Sequence, residues 1–351
     1  MGGVTVRLDA PRWRAHLRTV VDETPGIVPV IKGHGYGYGL GWLAGQAREL
    51  GLDTVAVGMP AEVAQVRDAF GGDVVVLYPY DPTDDRARTL SGDPRVLTTV
   101  SRLADLQALA EGPGRPRVLV EVLTSMRRHG IAAEDLPRVD ALLTGVTFEG
   151  WTIHLPLLED GRYAEAERLA RAARAVVPGP LWLSHLPVAE ASTLADALAG
   201  PDGIPVPLRL RVGTRLWLGD AGGRAVTASV LDVHPVRRGE RTGYRQRPAP
   251  GDGYVLVIAG GTSHGVGMEA PTPAASLRQR ATAFATGSLA ATGRALSPFT
   301  VAGRKRWFLE PPHMQSSLVF LPAREQPPAI GDEVPVELRL TTASPDSVLL
   351  V

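Results

Sequence analysis

The sequence predicts an α/β protein, a (β/α)8 barrel of the TIM type followed by a mainly β C-terminal domain. Three observations predict it. From residue 27 to residue 213, short β-branched runs alternate with amphipathic helical stretches, the pattern of βαβ units on a parallel sheet. The runs number eight, enough to close such a sheet into a barrel. Beyond Gly213 the pattern turns to β runs separated by Gly/Pro-rich turns such as Arg-Pro-Ala-Pro-Gly-Asp-Gly.

The elements follow in order. Residues 4–9 alternate apolar and polar side chains like a strand; they precede the barrel and are expected to pair with the C-terminal sheet. Barrel strands are predicted at 27–32, 54–59, 74–79, 96–101, 117–124, 145–155, 180–186 and 207–213. Between them, 60–70, 102–110, 163–175 and 188–199 carry apolar residues at spacings of three and four, the period of a helix packed on one face. C-terminal strands are predicted at 225–236, 253–260, 304–311, 316–322 and 332–340, with a helix over 274–296. The expected divisions are 1–9 for the leading strand, 10–219 for the barrel and 220–351 for the β-rich domain.

Composition narrows the function. Basic and acidic side chains number 37 each, for a formal charge of zero, which argues against nucleic acid or an anionic membrane as partner. The chain has no cysteine, which removes disulfides, thiolate nucleophiles and cysteine-type zinc sites. The cytoplasm is the expected compartment, since neither an apolar signal core nor a membrane-length apolar run is found. Only two of the 37 basic residues are lysine, Lys32 and Lys305. Lys305 lies among arginines and reads as a solvated charge. Lys32 ends the apolar run 27–31, where a charged head is costly unless it is used.

Functional groups of such barrels stand at the C-terminal ends of the strands. Lys32, Arg128, His154, His185 and Arg211 fall at or just past the ends of strands one, five, six, seven and eight. A lysine shielded at the mouth loses its proton more easily, and the neutral amine can form a Schiff base, as in aldolase-type catalysis or with pyridoxal phosphate. The glycines that alternate through 33–39 allow tight turns near a ligand. They are not a Walker loop, because the lysine precedes them. His154 and His185 could share a metal, but no third ligand at zinc-like spacing is found, so no metal is expected.

Residues 29–39, Pro-Val-Ile-Lys-Gly-His-Gly-Tyr-Gly-Tyr-Gly, resemble the cofactor-lysine motif of the alanine racemase family. The resemblance implies a homodimer with pyridoxal 5'-phosphate held on Lys32 as an aldimine, Lys32 being also one of two proton-transfer bases at Cα of a small amino acid. It places Tyr36 on the phosphate. Residues 126–130, Met-Arg-Arg-His-Gly, resemble the family's M-G-R-L-G and put Arg128 beside cofactor and substrate, where a forked guanidinium suits a carboxylate. Residues 150–154 resemble the sixth-strand segment whose histidine, here His154, packs beside the cofactor, with His185 a further cofactor-binding candidate. Residues 210–213 resemble R-P-G-I, with Arg211 facing the pyridine nitrogen and the amides of Gly213 and Thr214 helping to hold phosphate. An arginine hands over no proton, so the cofactor is a weaker electron sink and quick proton return is favoured, as racemisation needs. Residues 241–245, Arg-Thr-Gly-Tyr-Arg, resemble the V-S-Y-G segment of the second base and make Tyr244, donated across the dimer, the candidate. Its phenol, with an ordinary pKa of ~10, needs help from neighbours to accept a proton. Met314, in place of the methionine of M-D-Q, would line the substrate site.

The departures from the family pattern are also informative. The G-Y-A-D-G motif is reduced to residues 259–265 without tyrosine, where His264 is an alternative proton carrier. Val188 and Ala189 replace an asparagine and a phosphate-binding serine, and 344–348 lacks the family's last phosphate-contacting tyrosine. Glu121 stands seven residues before Arg128, where the family often has a lysine that becomes carbamylated; the negative group is kept and could pair with Arg128. M-D-Q has lost its aspartate. These losses open an alternative, a degenerate cofactor- or ligand-binding protein of the same fold with weak or no turnover; an aldolase-type barrel without cofactor is the third reading.

Overall fold

Eight parallel strands close on themselves in the N-terminal two-thirds of the chain. The structure, a computed structural model, describes residues 2–157, 160–201, 203–268 and 295–351. After β1 (Val4–Leu8) come the barrel strands β2 (Ile27–Pro29), β3 (Thr54–Val57), β4 (Asp73–Val76), β5 (Val96–Val100), β6 (Arg117–Val122), β7 (Thr147–His154), β8 (Leu181–Ser184) and β9 (Leu208–Val212). Their order is β2-β9-β8-β7-β6-β5-β4-β3, and a bridge from Val30 to Ala56 joins the two ends. All eight predicted strands form, each shorter than predicted; β4 starts one residue earlier, at Asp73.

Period-two alternation sorts the side chains. Val28, Val30, Ala56, Val75, Leu97, Leu119 and Trp182 form one apolar cluster, the filling of the barrel. Their strand neighbours, such as Val118, Val120, Trp151, Ile153, Leu183 and Leu210, pack instead with Leu106, Leu109, Ala166, Leu169, Ala173 and Leu194 of the surrounding helices. The predicted helix over 60–70 is a 3-10 turn, Pro60–Glu62, followed by a short α-helix, Val63–Arg67. Its first turn is drawn out of α-geometry where the Glu62 carboxylate folds back onto the N–H groups of Gly58 and Met59.

The β-rich part contains β10 (Arg224–Val236), β11 (Arg241–Thr242), β12 (Arg247–Pro248), β13 (Gly253–Ala259), β14 (Leu296–Val301), β15 (Arg304–Trp307), β16 (Ser316–Pro322), β17 (Glu333–Pro335) and β18 (Ser347–Leu350). One sheet runs β16-β13-β10-β1-β18, with β17 also on β10. β1 pairs antiparallel with β10, Val4 opposite Ala228, and parallel with β18, Thr5 opposite Ser347. Its core includes Val4, Ala228, Leu256, Ile258, Phe299, Val319 and Leu321. The strand predicted over 304–311 stops at Trp307, short of Pro311 and Pro312, and that over 332–340 shrinks to Glu333–Pro335, where proline withholds an N–H from the ladder. The helix over 274–296 lies outside the described residues except at its end, where Leu296 instead begins β14. The chain divides into two compact units, Arg14–Gly35 with Gly39–Gly219, and Met1–Trp13 with Tyr36–Tyr38 and Asp220–Val351.

Candidate active site

Strand register builds the mouth of the barrel. Val28 of β2 and Val30, just beyond it and bridged to Ala56, face inward, and Lys32 comes next in that alternation. By the same count Glu121 follows Leu119 on β6, Ser184 follows Trp182 on β8, and His154 and Arg211 end the inward rows of β7 and β9.

The backbone around Lys32 is clamped. Ile31 N–H donates to the Ala56 carbonyl at 2.7 Å, and Trp217 Nε1–H donates to the Val30 carbonyl at 2.9 Å. Glu62 accepts from Gly33 N–H at 2.8 Å with one oxygen, and from Gly58 N–H at 2.7 Å and Met59 N–H at 3.1 Å with the other. The Lys32 amine is held below its ordinary pKa, first by partial burial and then by the positive charges of Arg128 and Arg211, against the opposing pull of Glu62. Lys32 nevertheless remains open to solvent, so a carbonyl can reach it.

Opposite stands a network of one hydroxyl, one imidazole and one guanidinium. Arg211 Nη2–H donates to Ser184 Oγ at 3.0 Å, and Ser184 Oγ lies 2.6 Å from His154 Nδ1. A guanidinium only donates, so Ser184 Oγ accepts from Arg211 and keeps a proton and a second lone pair with which to meet His154 Nδ1. Burial, reinforced by Arg211, Arg128, His185 and Lys32, pushes His154 down to about 3. Arg211 is 8% exposed; burial lowers it to about 10, Glu121 opposing and Arg128 adding to the fall, which leaves it charged at neutral pH. Its Nε has no hydrogen-bond partner.

Glu121 is buried and accepts from Ser101 Oγ at 2.7 Å; its charge acts on Arg211. No ion pair joins it to Arg128 among the described residues, and Arg128 stands exposed. The loop before Arg128 is held by Glu165, which accepts from Ser125 N–H at 2.6 Å and Oγ–H at 2.8 Å. His185 has φ 64°, donates from Nδ1 to the Leu155 carbonyl at 2.9 Å, and lies 5.0 Å from His154, ring centre to ring centre. Burial lowers its pKa, with help from Arg211, Lys32 and Arg162, although the Leu155 contact opposes. Gly213 and Thr214 form the start of the short helix Thr214–Leu218.

Arg162, not singled out in the sequence, lies on the buried face of helix Arg162–Val176 with Ala166, Leu169 and Ala173. Among the described residues its ion-pair contact is Glu190 at 4.0 Å, and its buried Nε has no partner. Arg162, Glu62, Ser184 and Glu165 were all missed, because each acts through a fold-dependent contact and none belongs to a recognisable motif.

The barrel thus gathers Lys32, Arg128, His154, His185 and Arg211. Tyr36, Tyr244 and Met314 belong to the other unit. Tyr36 sits at φ 54° in the turn Gly35–Gly37, and burial pushes its phenol up to about 12. Tyr244 occupies the turn between β11 and β12 and is 86% exposed, and Met314 is also exposed. His264 is buried with both ring nitrogens engaged, Nδ1 accepting from Gly261 N–H at 3.2 Å and Nε2 donating to Asp346 at 3.1 Å, so it braces its loop and presents no free nitrogen. At the opposite end of the barrel, a cavity of about 260 Å3 is lined by Asp53, Asp73, Arg117, Glu149 and Arg209. These charges pair with one another, Arg117 with Asp73 and Glu149 and Arg209 with Asp53, and this end of such a barrel carries stability.

Fold and site together define a lysine-centred (β/α)8-barrel protein with an attached β-domain and a cationic mouth. Residues 8–193 match the family profile described as alanine racemase, N-terminal domain. The alanine racemase of Nitratidesulfovibrio vulgaris strain Hildenborough is 30% identical over 275 residues, covering 70% of this chain and 69% of that protein. That of Mycolicibacterium vanbaalenii is 27% identical over 276 residues, covering 72% and 70%. The chain belongs to the alanine racemase family. The fold is shared with the alanine racemase of Bartonella henselae with covalently bound pyridoxal phosphate, at a TM-score of 0.71, 15% identity and full coverage of both chains. It is shared too with that of Clostridium difficile, at a TM-score of 0.68, 16% identity and coverage of 95% of this chain and 86% of that one.

Proposed function

We propose that the chain is a pyridoxal-phosphate-dependent racemase of a small amino acid, working as a homodimer with Lys32 and Tyr244 as its two bases. The observation that carries the reading is the placement of Lys32: just past the first barrel strand, accessible, and close enough to Arg128 and Arg211 that their charges, with partial burial, lower its pKa.

The residues present fit the cofactor. The unpartnered Nε–H of buried Arg211 is the donor that a pyridine nitrogen would accept, and a buried donor without a partner costs about 1–3 kcal/mol until it finds one. Lys32 would hold the aldehyde carbon, and Tyr36, Gly213 and Thr214 the phosphate, with His154 and His185 beside the ring. Bound there, pyridoxal phosphate supplies an electron sink for negative charge at Cα of an amino acid joined to it. Arg128 binds the amino-acid carboxylate through its forked N–H groups, and Met314 of a second copy lines the site. Lys32 Nζ moves a proton on one face of Cα, and Tyr244 Oη of the second copy moves one on the other. Arg211, Ser184 and neutral His154 hold fixed N–H and O–H dipoles and release no proton to the ring, which favours rapid return of a proton to carbon.

Val188 and Ala189 bring no hydroxyl to the start of helix Val188–Ala197, the observation that favours the second reading, a binder with little turnover. Purified protein incubated with pyridoxal phosphate is expected to show the visible band of the lysine-bound cofactor, absent in Lys32→Ala. L-alanine in deuterated water then separates the readings: inversion with deuterium at Cα supports the racemase, the band without deuterium supports the binder, and no band overturns both.

A further inference from the structure

Tyr244 is the most exposed aromatic side chain described, yet it does not stand alone. Its ring lies 4.5 Å, centre to centre, from that of His313, tilted by 40°. Nε2–H of His313 donates to Glu310 Oε1 at 2.6 Å. The same carboxylate accepts from Tyr244 N–H and Arg245 N–H, each at 3.1 Å. Glu310 is only 4% exposed, so three donors converge on a carboxylate almost cut off from water. Burial pushes its pKa up, but the hydrogen bonds from His313, Arg245 and Tyr244 outweigh that and hold it below the usual range.

The local sequence is shaped for this contact. Pro311 and Pro312 stiffen the link between Glu310 and His313. Gly243 has φ 70°, and a Cβ added there would lie 2.3 Å from the Glu310 carboxyl carbon. The turn therefore has a glycine where the carboxylate must come close. An exposed tyrosine ordinarily samples several rotamers; this one is pinned at its backbone by Glu310 and at its ring by His313.

We propose that Glu310 and His313 are positioning residues for Tyr244, fixing the hairpin and the direction of its phenol as it is presented to the second copy's site. The inference rests on the reading of Tyr244 as a base. It ascribes to the carboxylate-imidazole pair no proton transfer to substrate.

The test uses the full chain reconstituted with pyridoxal phosphate, D- and L-alanine separately in deuterated water, and Cα deuterium uptake by mass spectrometry. Tyr244→Phe is expected to abolish inversion and the exchange of one enantiomer while sparing the other, which Lys32 serves. His313→Ala and Glu310→Gln are expected to lower kcat for that same enantiomer by about 10- to 100-fold, the cost of misplacing a catalytic group by about 1 Å, leaving KM and the other enantiomer within about two-fold. His313→Phe, which keeps a ring against the phenol, is expected to recover part of the loss. A second readout needs no turnover: the ring NMR signals of Tyr244, assigned through Tyr244→Phe, should move toward those of a free tyrosine in His313→Ala. Equal losses for both enantiomers with a lower melting temperature, or unchanged kinetics and ring signals, overturn the positioning role. Full inversion by Tyr244→Phe overturns instead the assignment of the base.

Discussion

Ser184→Ala removes one hydroxyl from the floor of the site, and the structure fixes what that does. The hydroxyl shares a 2.6 Å hydrogen bond with His154 Nδ1 and accepts one from Arg211 at 3.0 Å. Alanine leaves the ring nitrogen without this partner, and Arg211 Nη2 with a long 3.3 Å contact to the Ile153 carbonyl. Each buried polar group left unpaired costs about 1–3 kcal/mol; Arg211 keeps part of its bonding, so the sum is about 2–4 kcal/mol. For a folding unit of roughly 200 residues, at about 2–4 °C per kcal/mol, the melting temperature should fall by roughly 5–15 °C. Calorimetry and urea unfolding of the protein without cofactor measure this, and a double-mutant cycle isolates the contact. In a His154→Phe background, Ser184→Ala should cost about 1 kcal/mol less, as expected for coupled neighbours. A melting temperature within about 1 °C of the parent, or strict additivity in the cycle, would refute the network as described.

Two further expectations concern protons. His154 titrates near 3 in the fold against an ordinary 6.5, so between those values the unfolded chain binds the extra proton. Its contribution is complete above pH 6.5 and fades as pH falls toward 3; urea unfolding across that range should show a slope that His154→Asn reduces by up to one proton. Lys32 and Lys305 are the only lysines, so acylation at graded pH followed by peptide mass spectrometry reads Lys32 directly. Its half-reaction should fall below 10.5 and fall further in Glu62→Gln, because Glu62 pulls the pKa upward; half-reaction at or above 10.5 contradicts the site.

Much of the barrel was legible because a parallel strand between helices is apolar on both faces and stands out as a continuous run. Lys32 was legible through the rarity of lysine and its position at the end of such a run, and Arg211 through its strand-end position. Glu62 was not, since its partners are backbone N–H groups at Gly33, Gly58 and Met59, which no side-chain pattern announces. Ser184 was hidden for a related reason: its role comes from strand order, which brings β7, β8 and β9 side by side. β18 escaped notice because four residues carry little periodicity, and it is the pairing with β1 that makes them a strand. β14 was masked by the alanine-rich sequence before it, and Glu310 was read only as part of a strand over 304–311.

The place of β1 between β10 and β18 has a bearing on synthesis. Residues 4–8 leave the ribosome before either flanking strand exists, whereas the barrel strands after β2 arrive one after another, each beside a neighbour already made. Closing a long loop costs entropy that grows only slowly with its length, but the pairing must wait for translation. The barrel can therefore assemble while β1 is still unpaired, and the sheet that contains it is completed only when residues 347–350 emerge.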